Sequence, residues 1–207
     1  AGGRKGALTP VRMTSISSAI ASVLGAAEPR EKVRRARQVA RDWRLGRLTH
    51  HFDVSMPTRP ARPAHPELLA PSHMPARRRA GSIAGRIALL HAFAHIEFLA
   101  IDLAFDMAGR FGADQPKDFV DDWLSVGADE AMHFMLLERR LASFGSHYGA
   151  LPAHDGLWES AAETSGDVLA RLAIVPMVLE ARGLDVSSAT IDRLAAMGDA
   201  RSTQILT

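Results

Sequence analysis

The sequence predicts an all-α protein, a four-helix bundle whose last helix is truncated, preceded by an N-terminal helix and a proline-rich extended arm. Three observations carry that expectation. Long segments repeat their apolar residues at the 3.6-residue period of a helix, glycines punctuate their ends, and no stretch alternates apolar with polar residues as a half-buried strand does. At 207 residues with 47% hydrophobic content, the chain can bury one good-sized core and an appended arm, and is too short for two comfortable domains.

Residues 1–12 read as a non-native or disordered start, because Met13-Thr14-Ser15-Ile16 makes a natural beginning. Residues 13–80 hold the N-terminal helix and the arm. From about Glu28 to Arg47, Val33, Ala36, Val39, Ala40 and Trp43 fall at helical spacing, with Pro29 in the first turn. Pro57, Pro60, Pro63, Pro66, Pro71 and Pro75 then forbid regular helix or central strand, so this stretch is expected to lie extended across the bundle.

The bundle occupies residues 81–207. Its first long helix runs from Ser82 to about Arg110, before Gly112; the second runs from Lys117 to Phe144 and stops at Gly145. A loop rich in Gly, Ser and Pro follows, then a third helix from Leu157 to Arg182 ending at Gly183. Pro176 inside it removes a backbone hydrogen bond and can kink it. Ser187 to Met197 reads as a short helix, and Gly198-Asp199 opens another that reaches Thr207 without a Gly or Pro stop. The chain is therefore read as a fragment of a longer bundle, with a degenerate relative as the alternative.

Chemistry concentrates in Asp129-Glu130-Ala131-Met132-His133-Phe134. Glu130 and His133, three apart on a helix, project from one face and make half of a di-iron site. Glu97 shares a helical face with Ala94, Ile101 and Ala104, and Glu180 one with Ala173, Pro176 and Met177. An isolated glutamate in a helical pattern is usually solvated. The joint pattern of Glu, Glu-x-x-His and Glu on three successive helices favours metal, because acids in an apolar core need a counter-charge. The expected ligands are thus Glu97, Glu130, His133 and Glu180. No second Glu-x-x-His exists in the chain. Two iron or manganese ions are accordingly expected in the full-length protein, and partial or no metal in this chain.

Other candidates are weaker. His91 and His95 are one turn apart, a spacing that could bind metal, but Glu97 is rotated about 200° from His95 on an ideal helix, so both histidines read as structural or as partners behind a ligand, His91 bonding a neighbouring element. Asp129 is either a partner for a ligating histidine or solvated. His147, Tyr148 and His154 form a packed loop or guard an entrance.

Composition excludes several classes. Without cysteine there are no disulfides, thiolate metal sites or cysteine nucleophiles, which fits a cytoplasmic protein. No phosphate-cradling glycine loop is present, so nucleotide enzymes drop out. His91, His95, Glu97 and Asp102 interrupt one apolar stretch and Arg171 and Glu180 the other, short of the ~20 residues that cross a bilayer, so a soluble protein is expected. Net charge is +2, but Arg34, Arg35, Arg37, Arg41, Arg44, Arg47 and the run Arg77 to Arg79 crowd the front. An anionic partner such as RNA is one reading of that crowding; a solvated helix face is the favoured one, since no aromatic residues interleave for base stacking.

Several motifs together carry a family resemblance: His95-Ile96-Glu97, Asp122-Trp123, the Asp129 to Phe134 run, Tyr148-Gly149 through Trp158-Glu159, and Leu179 through Asp185. From about Glu28 to its end, the chain resembles the bacterial ferritin-like family numbered 455 among the domains of unknown function. That resemblance implies a ferritin-like four-helix bundle similar to di-iron carboxylate proteins, and more distantly to the non-haem hydroxylase acting on a hypermodified adenosine in tRNA. It also implies that Glu97, Glu130, His133 and Glu180 occupy ligand positions. The family's closing Asp-Glu-x-x-His-Val motif has no counterpart here. The function so implied is an oxygen-dependent oxidoreductase or hydroxylase acting on a small-molecule or tRNA-like anionic substrate. The alternatives are an iron-binding or ferroxidase-type module, which would assemble as a homo-oligomer, and a metal-free structural bundle.

Overall fold

The computed structural model describes residues 13–74, 82–180 and 191–206, apart from 193 and 197. Helix α1 spans Ile16–Leu24. The Ser15 hydroxyl accepts the Ser18 N–H at 3.2 Å, and Ile16, Ala19, Ile20, Val23 and Leu24 bury one face. This helix is an addition to the expected elements. Helix α2, Pro29–Arg44, buries Val33, Ala36, Val39 and Trp43 as expected, together with the unexpected Lys32.

The two longest helices, α3 (Ile83–Phe111) and α4 (Lys117–Ser143), match the expected bounds to within a residue. A 3-10 turn at Gly112–Asp114 folds one back on the other. Their contact is close because Gly127 has no side chain: a Cβ there would lie 2.5 Å from the Phe105 ring. Helix α1 packs on α3 and α2 on α4, and all four helices contribute to one apolar core. The arm crosses α3 as expected. Ala61 donates its N–H to the Leu24 carbonyl at 2.8 Å, Arg110 reaches the Pro57 carbonyl at 2.9 Å, and Met56 is buried beside Gly109. Among the described residues there is no strand, only single bridges at Ser15–Thr49 and Leu68–Ala153. The molecule is an all-α helical bundle.

Two expectations are corrected. The third long helix is broken into α5 (Gly156–Glu163), α6 (Val168–Leu172) and a π-helical continuation over Ala173–Glu180. The break falls at Thr164 to Asp167, where Asp167 turns its carboxylate back to accept the N–H groups of Leu169 and Ala170 and starts a new helix. Pro176 brings no N–H, and the wider π spacing absorbs it. The stop at Gly183 lies outside the described residues, as does most of the 187–197 segment, of which 191, 192 and 194–196 are helical. Helix α7, Ala200–Leu206, starts at Asp199 as read, held to α4 by Arg140 bonds to Asp199 and Ser202. Second, α3 is after all long and apolar enough to cross a membrane on length and composition, with a mean hydropathy of 1.7. More than half of that stretch, 56%, is buried inside the molecule, and its apolarity is that of a core helix.

Candidate metal centre

Glu97 reaches the α3–α4 contact because Ala94, Ile101 and Ala104, its neighbours on the same helical face, are buried in the core. Glu130 and His133 arrive one turn apart on α4, where Ala131, Phe134 and Leu137 are buried. His133 Nδ1 lies 3.2 Å from Glu130 Oε2 and 3.7 Å from Glu97 Oε2. Each of the three residues offers a ligand atom within 4.8 Å of the others, so the cluster could hold a metal ion.

The electrostatics follow from that proximity. Burial and the neighbouring Glu97 carboxylate push Glu130 up to about 8. Hydrogen bonding to Glu97 holds the His133 imidazolium up to about 9, against its desolvation. Burial raises Glu97, but its bonds to His133 and Glu130 outweigh that and leave it below the usual carboxylate range. Two half-buried carboxylates therefore depend on protons for the positive charge that a divalent cation would supply. Oxygen and imidazole donors suit iron or manganese.

Glu180 ends the π segment; its side chain lies outside what the structure describes. His91 and His95 stay out of the cluster, as the helical phase requires. His91 Nε2 accepts the Gly149 N–H at 2.9 Å, the cross-element bond anticipated for it. His95 bonds the Tyr148 hydroxyl at 2.9 Å and the His154 carbonyl at 3.0 Å. Asp129 is exposed and lines the groove between α2 and α4. Arg37, Arg41 and Arg44 line the same groove with Asp121 and Asp122, so both signs of charge meet there. Tyr148 packs between Phe98 and Phe134, the residues that follow Glu97 and His133, with ring centroids 5.3 and 5.0 Å away.

Sequence reasoning missed the buried ionic ties. Lys32, fully buried, bonds Asp102 at 2.5 Å, and Arg62 from the arm pairs with the other Asp102 oxygen. Arg171, also buried, joins Asp106 at 2.7 Å, as does Arg110. The signal available was an acid at two positions, Asp102 and Asp106, in the most apolar stretch of α3.

An all-α bundle with a carboxylate–histidine cluster across its two longest helices defines the class of protein. The chain belongs to the family described as "Protein of unknown function (DUF455)", which matches residues 25–207. It is 43% identical over 150 residues to an "Uncharacterized protein" of Haemophilus influenzae (strain ATCC 51907 / DSM 11121 / KW20 / Rd), covering 70% of this chain and 52% of that relative. The chain thus spans about half the length of the curated relative it matches. No solved structure matches it.

Proposed function

We propose that Glu97, Glu130 and His133 hold iron or manganese, and that the whole protein is a ferritin-like di-iron carboxylate protein, an oxygen-dependent oxidoreductase or hydroxylase. The observation that carries this reading is the convergence of the three donors within 4.8 Å across α3 and α4. Bound there, a redox-active metal supplies open positions at which dioxygen can be activated. Glu97 and Glu130 would balance its charge, and His133 would give up its proton and donate nitrogen. Phe98 and Phe134, which follow Glu97 and His133 in the chain, are both fully buried.

Anaerobic titration with Fe(II) tests the ligand set. Because loss of a group that merely orients a ligand costs ~10–100-fold in affinity, Glu97→Ala, Glu130→Ala and His133→Ala should each weaken binding ~100-fold or more while leaving the helical circular dichroism intact. Unchanged affinity in all three would place the metal elsewhere. For the activity, oxygen-dependent turnover retained by a full-length Glu130→Ala variant would sink the oxidoreductase reading. The 43% exposure of His133 favours a second reading, a ferroxidase-type module open to free ions. It predicts oxidation of Fe(II) alone, with no organic product.

A further inference from the structure

The groove between α2 and α4 has a volume of about 1170 Å³, and none of Glu97, Glu130 and His133 lines it. The two helices run antiparallel along it. Arg30, near the start of α2, pairs with Glu138 at 3.7 Å, and Trp43, near its end, donates Nε1–H at 2.5 Å to Asp121, close to the start of α4. Val33 and Leu124, both buried, line it together with the half-buried Ala40, Ala128 and Met135 and the 40% exposed Met132.

Its two walls carry opposite charge. On α2, Arg30, Arg34, Arg37, Arg41 and Arg44 recur every three or four residues and form one stripe. Some of the lining charges are satisfied within the molecule: Arg30 by Glu138, Arg34 by Glu31, Arg47 by Asp42 and Lys117 by Asp121. The remainder are Arg37, Arg41 and Arg44 on α2 and Asp122 and Asp129 on α4, all exposed and all without an ion pair among the described residues. Their spacing matches. Arg37 and Arg44 are two turns apart, as are Asp122 and Asp129, ~10 Å in each case. The register set by the Arg30–Glu138 and Trp43–Asp121 contacts puts Arg37 level with Asp129 and Arg44 level with Asp122.

A second copy of the chain offers the same two walls. Turned about a two-fold axis parallel to the helices, it lays its α2 over α4 of the first and its α4 over α2, with heights along the helices unchanged. Arg37 then meets Asp129 and Arg44 meets Asp122 on both sides of the axis. A two-fold axis across the helices would set α2 on α2, arginine against arginine, which like charge disfavours. A phosphate backbone fits the groove less well, because it would meet Asp122 and Asp129 along with the arginines and brings no cation for them.

We propose that the α2–α4 groove is the interface of a two-fold symmetric dimer, filled by the same groove of a second copy so that the two helix pairs close into a four-helix layer. The charges choose the arrangement, and the methionines adapt to whatever faces them. A face about 24 Å long and about 20 Å wide covers about 500 Å² on each copy, for a 16-residue helix and its neighbour. The total of about 1,000 Å² is at the small end of specific interfaces, so the dimer exchanges with monomer. The inference is independent of the metal reading.

Analytical ultracentrifugation of the chain from ~1 to ~500 µM tests it. The expected result is a reversible monomer–dimer equilibrium that weakens ~tenfold or more when salt is raised from ~0.05 to ~0.5 M. Charge reversal then locates the face. An Arg37→Glu, Arg41→Glu, Arg44→Glu variant and an Asp122→Lys, Asp129→Lys variant should each associate ~tenfold or more weakly alone, and should pair with one another when mixed, since each presents the charge that the other lacks. Monomer at every concentration, with or without uptake of poly(U) RNA by the α2 stripe, would overturn the proposal, as would unchanged dimers in both variants or no association on mixing. If either variant fails to fold, the wild-type Arg37, Arg41 and Arg44 Nε–H resonances decide: shifts that follow dimer formation on concentration support the face, and their absence overturns it.

Discussion

At the α3–α4 contact, Glu97, Glu130 and His133 hold one another through protons, and that arrangement sets how the metal-free protein responds to pH. Glu130, at about 8 against an ordinary 4.5, and His133, at about 9 against 6.5, both bind protons more readily folded than unfolded. The stability they contribute is therefore present at low pH and lost as pH rises, through 4.5 to 8 for Glu130 and 6.5 to 9 for His133. His91 and His95 act with the opposite sign. Desolvation pushes each down to about 4, so they remove stability as pH falls from 6.5 through 4. The thermal midpoint of metal-free protein should accordingly fall between pH 6.5 and 9, and a Glu130→Gln, His133→Asn double variant should flatten that limb. Scanning calorimetry across the range reads both, and an equally steep fall in the double variant would refute the assignment. Glu130 and His133 were readable in the sequence because a three-residue spacing is a local property of one helix. Glu97 needed only its phase against Ala94 and Ile101. Arg62 was not readable, because its partner Asp102 is 40 residues away and the arm that carries it has no periodicity.

The elements follow the same division between local and distant causes. Helices α2, α3 and α4 are legible because an apolar period runs their length and proline or glycine marks their ends. Helix α1 carries equally good signals, the Ser15 cap and a buried stripe from Ile16 to Leu24, but is only nine residues long and borders a start that reads as foreign. The break between α5 and α6 was written in Thr164-Ser165-Gly166-Asp167, where the cap competes with an apolar rhythm that continues on both sides. What periodicity cannot show is how closely two helices approach. Gly127→Ala tests that. The new methyl would meet the ring of the fully buried Phe105 at 2.5 Å. Against a gain of ~1 kcal/mol in helix propensity, overpacking of ~1–3 kcal/mol should leave a net loss of about 0–2 kcal/mol in urea unfolding. A stabilised variant would show that the α3–α4 contact is looser than described.

Across the whole molecule, the arm and α2 are fastened to α3 through Asp102, which binds Lys32 and Arg62 together. Removing one member of a buried ionic group strands the rest, at ~3–5 kcal/mol. Asp102→Ala should sit near the lower end, about 3 kcal/mol, because burial already pushes Lys32 down and it can shed its proton. A loss below ~1 kcal/mol, the range of a surface pair, would mean that the arm is held by its other contacts. The same fastening positions α3, and with it Glu97, opposite α4, so the global tie and the local cluster depend on one helix. The relative from Haemophilus influenzae, of which the aligned stretch covers 52%, extends well beyond this region, and the di-iron reading is a statement about the whole protein. The direct test is metal content by elemental analysis, on protein expressed aerobically and purified without chelators, for this chain, for a full-length relative and for the full-length Glu97→Ala, Glu130→Ala, His133→Ala variant. The account predicts close to two iron or manganese ions in the full-length protein, less in this chain, and a clear loss in the variant. Equal metal in variant and wild type, or none in either, would contradict it.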